Sequence, residues 1–203
     1  MRLSLIVALA TLSACSTIPG QAPPPTSGWR AAATASDRNR LAEWRTAFTR
    51  ALDQARKAGH GADIDAEGAL LRPDAALGPV PIPNGNYRCR TIKVGAKSEG
   101  MLNYIAYPAF ACRIRQEDDL QGFAKLTGSQ RQIGLIFSDS AIRQAFLGTL
   151  ELGDEARPME YGADPDRDVA GWIERVGDNR WRLIMPYPRF ESTLDVLELV
   201  PAN

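Results

Sequence analysis

A short polar segment, residues 125–131, holds the side chains in this sequence that are best suited to binding a partner. Lys125 and Arg131 supply two cations, and Ser129 lies between them with a threonine hydroxyl and a glutamine amide. An arginine side chain can hold a carboxylate through two parallel hydrogen bonds. Thr-Gly-Ser is also what a tight hairpin turn requires, so a purely structural role remains open. We therefore take Lys125, Ser129 and Arg131 as candidate binding residues on a hairpin.

A second polar segment has the spacing with which a calcium loop begins. Aspartates stand at every second position from Asp164 to Asp168. An EF-hand loop also needs glycine at its sixth position and glutamate at its twelfth, where this chain has Val169 and Arg175. The pattern therefore favours a solvated acidic turn, in which Asp168 pairs with Arg167 or a neighbouring strand, and no metal site. Arg167 and Asp168 join the candidate binding residues.

Groups that could perform catalysis are sparse. Ser129 is not set in a Gly-x-Ser-x-Gly elbow, and the single histidine, His60, lies between two glycines where a loop role is expected. Adjacent carboxylates such as Asp118-Asp119 and Asp154-Glu155 belong to polar turns, whereas acid–base catalysis needs groups that converge from separate elements. The sequence contains no glycine-rich phosphate-binding loop. We expect no catalytic residue, no enzyme activity and no cofactor.

The first residues of the chain predict a lipid anchor. Arg2 precedes a short apolar run, residues 3–12, which is typical of a secretory signal and shorter than the ~20 residues that span a bilayer. The following Leu12-Ser13-Ala14-Cys15 resembles the lipobox of bacterial lipoproteins, in which the cysteine is acylated and becomes the mature N-terminus. An ordinary secretory signal is the alternative. We expect attachment to the membrane through Cys15 on the periplasmic face of the cell envelope. Ser16 after the cysteine favours the outer membrane by resemblance to sorting in enteric bacteria.

Composition excludes some classes of partner. Removal of the signal deletes one basic residue, Arg2, and the 23 remaining Lys and Arg then face 24 Asp and Glu, a net charge of −1. Nucleic-acid binding selects clustered basic charge, so we expect no nucleic acid as a partner. With 44% hydrophobic residues, the chain can bury one core.

The two remaining cysteines predict a disulfide. Cys89 and Cys112 form an even pair in a compartment that permits oxidation. Each lies in a segment of strand composition, and a turn near Gly100 would place them opposite each other on antiparallel strands. Free thiols are the alternative, and a metal site lacks ligands because His60 is the only histidine.

The hydrophobic pattern divides the chain into four segments. Residues 1–14 are the predicted signal peptide, and residues 15–30 are the anchor with a flexible Pro-rich tether. Residues 31–72 form a helical segment, and residues 73–203 form a β-domain. The helix is expected to begin after an N-cap at Ser36 and to end at Gly59. Its apolar stripe consists of Leu41, Trp44, Phe48, Leu52 and Ala55.

Short strands and turns follow to the end of the chain. Their order predicts an α+β, mainly β fold: an antiparallel meander barrel of about eight strands, or a sandwich variant, with the N-terminal helix packed outside. The helix should cover the last strand, which is apolar on both faces. The expected strands are near 86–94, 103–115, 121–127, 131–138, 142–150, 168–176, 180–187 and 193–200.

Several short motifs follow one another along the chain. These are Gly85-Asn86-Tyr87-Arg88-Cys89-Arg90-Thr91-Ile92-Lys93, Phe110-x-Cys112-Arg113-Ile114, Lys125-Leu126-Thr127-Gly128-Ser129-Gln130-Arg131, Phe146-Leu147-Gly148, Tyr161-Gly162, Arg167-Asp168 and Arg180-Trp181-Arg182-Leu183. In combination they resemble the bacterial family known as domain of unknown function 4893. That resemblance implies a secreted envelope protein with a helix and a β-domain, and it supplies no catalytic residue.

These features lead to a functional expectation. We expect a cell-envelope lipoprotein that acts as a non-catalytic binding module for a protein or an envelope component. One alternative is a carrier of a small apolar ligand, although Phe137, Trp181 and Met185 would fill the barrel if they all point inward. The other is an inhibitor of an envelope-attacking hydrolase that acts through the hairpin.

Overall fold

A computed structural model describes residues 28–79 and 81–202. The signal peptide, Cys15 and most of the tether lie outside these residues, so lipidation remains a prediction. Within the described residues, no helix is both long and apolar enough to cross a membrane.

The helical segment is more divided than the sequence pattern suggests. The expected single helix is interrupted at Glu43, and its N-cap is Thr34 rather than Ser36. The Thr34 hydroxyl accepts a hydrogen bond from the Asp37 amide at 3.1 Å, which satisfies one of the free donors of the first turn. The helices are α1 (Trp29–Ala32), α2 (Ala35–Ala42), α3 (Trp44–Lys57) and α4 (Gly61–Ala66), followed by a 3-10 turn at Gly68–Leu71.

The described residues contain nine strands rather than eight. The single strand expected at 103–115 is divided by Pro108, which has no amide hydrogen with which to continue a ladder. The strands are β1 (Gly85–Ala96), β2 (Tyr104–Ala106), β3 (Phe110–Glu117), β4 (Leu120–Lys125), β5 (Gln130–Ser140), β6 (Arg143–Leu152), β7 (Asp168–Gly177), β8 (Arg180–Pro186) and β9 (Ser192–Pro201).

Eight of the strands close into an antiparallel barrel. Neighbouring strands follow the order of the chain from β3 to β9, and β1 closes the ring by pairing with β3 on one edge and β9 on the other. The short β2 pairs with residues 92–94 of β1, outside the ring of eight. The predicted eight-stranded barrel with an external helix is therefore confirmed. The long strand β1 runs between the two ends of the barrel.

Alternation along the strands separates two apolar clusters. One lies inside the barrel and includes Phe123, Trp181 and Leu197. The other lies between the barrel and the helices and includes Phe48 of α3 with Leu194 of β9. The predicted covering of the last strand by the helix is confirmed. Phe137 belongs to the outer cluster and does not fill the interior; the alternation assigned it correctly to a face, but that face packs against the helical segment.

The predicted disulfide is present, with a different register from the one expected. Cys89 and Cys112 are bonded, with their Cα atoms 5.9 Å apart, and both are buried inside the barrel. They are not directly opposite: Cys89 pairs with Phe110, and Cys112 pairs with Tyr87. The bridge therefore joins diagonal neighbours on β1 and β3.

A buried arginine fastens the helical segment to the barrel. Arg182 of β8 and Glu174 of β7 are fully buried and form an ion pair at 2.6 Å. The same guanidinium donates hydrogen bonds at 2.8–2.9 Å to the carbonyl oxygens of Ala69, Leu70 and Arg72. A buried charge is stable only when such partners replace water. These contacts fix the 3-10 turn against the outer wall.

Candidate functional site

Polar side chains inside the barrel collect at one end. The apolar cluster around Trp181 fills one part of the barrel interior, which we call the lower interior. At the opposite, upper end of the barrel, the inward positions of β1, β4, β5 and β9 are polar or charged. We call this end the polar mouth. It is formed by Thr91, Lys93, Lys125, Gln130, Gln132 and Asp195.

One lysine of the polar mouth is neutralised by carboxylates. Lys93 and Asp195 are cross-strand partners on β1 and β9, and the lysine Nζ lies 2.9 Å from Asp195 Oδ2 and 3.2 Å from Glu191 Oε2. Burial lowers the pKa of Lys93, but the two carboxylates outweigh burial and raise it overall. Lys93 is therefore a charged and fully paired group.

The second lysine, Lys125, has no direct carboxylate contact within the described part of the chain, although the charge of Asp195 acts on it from farther away. Its side chain is 5% exposed, and no carboxylate of the described residues lies within 4 Å of its Nζ. The Nζ donates a hydrogen bond to the Gln130 carbonyl oxygen at 2.9 Å and lies 3.9 Å from the centroid of the Phe110 ring. Burial, with the nearby charge of Lys93, lowers the pKa of Lys125 to about 8. Lys125 is therefore a buried cation whose contacts are a carbonyl oxygen and an aromatic ring, neither of which is an anion.

Unpartnered polar atoms lie beside the lysines. Thr91 Oγ1 and Gln132 Oε1 are buried and have no hydrogen-bond partner among the described residues. Both side chains line a cavity of about 150 Å³, as do Lys93 and Lys125. A single water occupies roughly 10–15 Å³ on this scale, so the cavity admits a compact polar group. The polar mouth therefore offers donors, acceptors and space at one point.

A smaller cavity of about 30 Å³ adjoins the first, since Lys93, Gln130 and Gln132 line both. Arg167 and Asp168, which the sequence singled out, line this second cavity. Burial raises the pKa of Asp168, although the Gly162 amide donates a hydrogen bond to its carboxylate at 2.8 Å. Arg167 is paired with Glu155 at 2.8 Å.

The structure brings four of the five candidate binding residues to one end of the barrel. Lys125 and Ser129 line the larger cavity, and Arg167 and Asp168 line the smaller one. Arg131 lies on the outer face, where it contacts Glu151 at 3.1 Å and the carbonyl oxygen of Leu152. Only Ser129 of the hairpin candidates is exposed at the tip. Both cations of the hairpin, Lys125 and Arg131, therefore contact groups of the barrel itself.

Sequence reasoning did not identify Thr91, Lys93 and Asp195. A signal for them was nevertheless available. Lys93 and Asp195 are charged residues inside apolar stretches, Ile92-Lys93-Val94 and Leu194-Asp195-Val196, and alternation assigns them to the face opposite the helix contact. Pairing β1 with β9 would have placed them side by side, but that closure cannot be read from either strand alone.

The three alternating aspartates perform separate tasks. Asp164 Oδ1 accepts a hydrogen bond from the Asp166 amide at 2.9 Å, Asp166 pairs with Arg189 at 2.8 Å, and Asp168 accepts from Gly162. Among residues 28–79 and 81–202, no three His, Cys, Asp or Glu side chains are grouped so that they could hold a metal ion.

Comparisons with known proteins give one match. A family model described as "Domain of unknown function (DUF4893)" matches residues 29–199. No curated protein and no solved structure matches the chain.

Proposed function

Because this chain belongs to a family of unknown function, DUF4893, we propose a function from its own geometry: a non-catalytic binding protein of the cell envelope whose ligand enters the polar mouth. The lipobox-like Leu12-Ser13-Ala14-Cys15 supports a lipid anchor on the periplasmic face of the envelope, and Ser16 after the cysteine supports the outer membrane. The ligand is an envelope component or a group on a partner protein.

One observation carries the proposal. Lys125 holds a buried positive charge without a carboxylate partner within the described part of the chain, at the wall of a cavity that is also lined by Thr91 and Gln132, each of which has a buried, unsatisfied polar atom. Folding alone selects against such groups, because an unpaired buried charge or polar atom costs free energy. A ligand that supplies the missing partners would recover that cost on binding.

The alternatives have less support from the structure. The lower interior, where a small apolar ligand would have to lie, is occupied by buried side chains such as Phe123, Phe146 and Trp181. The interior of an eight-stranded barrel either is filled by its own side chains or holds one small ligand at most. An inhibitor acting through the hairpin would need exposed cations, whereas Lys125 is buried and Arg131 is paired with Glu151.

Native mass spectrometry of the mature protein, extracted from its own membranes in a non-ionic detergent, tests the proposal. A Thr91→Leu variant fills the larger cavity and removes a hydroxyl that has no partner. Thr149→Leu is the matched control, since Thr149 is also buried with an unpartnered hydroxyl but lies outside the polar mouth, on an outer groove.

We expect a bound component on the wild-type protein and on Thr149→Leu, and at least a tenfold lower occupancy on Thr91→Leu. A wild-type protein that carries no bound component would overturn the proposal. So would a bound component that Thr91→Leu retains in full, because the ligand would then lie elsewhere.

A further inference from the structure

An apolar groove opens beside the polar mouth. It has a volume of about 250 Å³ and is lined on one side by Met101, Leu102 and Ile105, which belong to the β1–β2 loop and to β2. Met101 is 41% exposed and Leu102 is 67% exposed. Burial of such apolar side chains by a ligand or a partner is favourable, because it removes them from water.

The groove adjoins the polar mouth. Lys93, Tyr107 and Glu191 line both the groove and the 150 Å³ cavity that holds Lys125. Ile105 is the cross-strand partner of Lys93, so its side chain extends the inward face of β1 onto β2. One molecule can therefore reach the Lys125 ammonium and the apolar groove at the same time.

We propose that the polar mouth and this groove together bind an anionic amphiphile, with its charged head against Lys125 and its single acyl chain along Met101, Leu102 and Ile105. This inference rests on the proposed function and names the ligand class for that site. The shared chemistry is a carboxylate or phosphate on a hydrocarbon chain, which a free fatty acid or a single-chain phospholipid would supply.

The charge of the head follows from the lysines. Lys93 pairs with both Asp195 and Glu191, so these two carboxylates and the two lysines sum to zero charge, and Lys125 is the cation that contacts no carboxylate of the described residues. An anion at that position forms a charge-assisted hydrogen bond in surroundings from which water is largely excluded, where the attraction is stronger than in bulk water. Thr91 lines the same cavity, and its hydroxyl has no hydrogen-bond partner among the described residues.

Isothermal titration calorimetry at pH 7 tests the ligand class. The probes, used below their micellar concentrations, are dodecanoate and dodecyl phosphate as anionic amphiphiles, dodecyltrimethylammonium as a cation with the same chain, and acetate and inorganic phosphate as heads without a chain. We expect binding of one or both anionic amphiphiles, at least tenfold weaker binding of the cation, and at least tenfold weaker binding of the bare heads. The preferred head distinguishes a fatty acid from a phosphate ester.

Two variants locate the head and the chain. Lys125→Met should weaken binding of the anionic amphiphile about tenfold or more, which corresponds to the loss of one hydrogen bond between charged groups. Lys57→Met, on the outer surface of α3, is its control. Met101→Asp should weaken binding about tenfold, whereas Ile142→Asp should not, since Ile142 is 43% exposed and lies at the turn between β5 and β6.

Several results would overturn the inference. These are equal binding of the cationic probe, binding of the bare heads as tight as that of the amphiphiles, and an affinity that Lys125→Met leaves unchanged. A change of oligomeric state in Met101→Asp with unchanged affinity for dodecanoate would identify the groove as an interface between copies. If a bound component from native membranes depends on Thr91 but is not an anionic amphiphile, the proposed function stands and this inference fails.

Discussion

The ammonium of Lys125 lies 3.9 Å from the centroid of the Phe110 ring, inside the barrel. The ring face and the Gln130 carbonyl oxygen stabilise the charge in part, since a cation–π contact contributes roughly 0.5–2 kcal/mol. Neither partner carries a negative charge. The neighbouring Lys93, by contrast, contacts two carboxylates, and this difference between two buried lysines determines what the polar mouth can bind.

Removal of the Lys125 charge should stabilise the unliganded protein. Lys125→Met keeps the apolar stem and deletes a charge whose burial lowers its pKa to about 8. We expect the free energy of unfolding at pH 7 to rise by roughly 1–3 kcal/mol, measured by urea denaturation. Lys57→Met, whose partner Asp53 is on the protein surface, should change it by less than about 0.5 kcal/mol. A loss of stability in Lys125→Met would contradict the account.

The same lysine predicts a pH dependence of known sign. In the native protein the pKa of Lys125 is about 8, whereas an unfolded lysine titrates near ~10.4. Between these pH values the unfolded chain holds a proton that the native state has released, so native stability rises with pH. The advantage of Lys125→Met over the wild type should therefore be complete below pH ~8 and shrink toward pH ~10. A constant difference across this range would show that Lys125 titrates normally.

Loss of the disulfide should destabilise the barrel. Cys89 and Cys112 are separated by 23 residues, and closure of a loop of that length contributes roughly 3 kcal/mol in the chain-entropy model. Cys112→Ser should lower the thermal midpoint of the oxidised protein, and reductant should do the same to the wild type. The Cys89→Ser/Cys112→Ser double variant serves as the control, because reductant should leave it unchanged. An unaffected wild-type midpoint would indicate that the bridge contributes little.

The pattern of strands, more than their exact ends, could be predicted from the sequence. Alternation of inward and outward residues identified the faces of β8 and β9, and the two-sided apolarity of β9 predicted the covering helix. The division at Pro108 was visible but was not used. The diagonal position of Cys89 and Cys112 follows from the register of β1 against β3, which the composition of the two segments does not specify.

The site was harder to predict than the fold for a physical reason. The residues 125–131 looked like an exposed hairpin tip because they are polar, yet Lys125 ends a strand and points inward by the period of two. Its neighbours in the polar mouth include Thr91 and Lys93, which come from a distant part of the chain. Lys125 differs from an ordinary surface lysine only because it is buried beside these residues, and that burial arises when the barrel closes.

The buried pair of Arg182 and Glu174 should be essential for stability. Glu174→Leu leaves the Arg182 guanidinium buried without a counter-charge and also removes the carboxylate that Arg143 contacts, and we expect a loss of about 3–5 kcal/mol in the free energy of unfolding. Arg182→Lys should also lower the stability, although it keeps the charge. A lysine ammonium cannot contact the Glu174 carboxylate and the carbonyl oxygens of residues 69–72 together. Denaturant titration measures both. Wild-type stability in Arg182→Lys would show that charge alone is sufficient.

Gly95 should tolerate no side chain, because α3 crosses β1 at this point. Its φ is +73°, and an added Cβ would lie 2.9 Å from the Ala51 Cα. Gly95→Ala should therefore cost about 1 kcal/mol for the backbone and a further 1–3 kcal/mol for overpacking. Gly100→Ala isolates the first contribution, since Gly100 has φ +84° and open space around its Cα. Equal losses in the two variants, measured by thermal unfolding, would contradict the close packing of α3.

The most direct test of the polar mouth is an NMR titration of the Lys125 side chain, with ¹³C-labelled lysine and the resonance assigned by its disappearance in Lys125→Met. The account predicts a midpoint near pH 8 in the free protein. Saturating dodecanoate should move that midpoint upward, because a bound anion stabilises the charged ammonium. A midpoint near the ordinary lysine value of ~10.4 in the free protein, or one that dodecanoate leaves unchanged, would contradict the account.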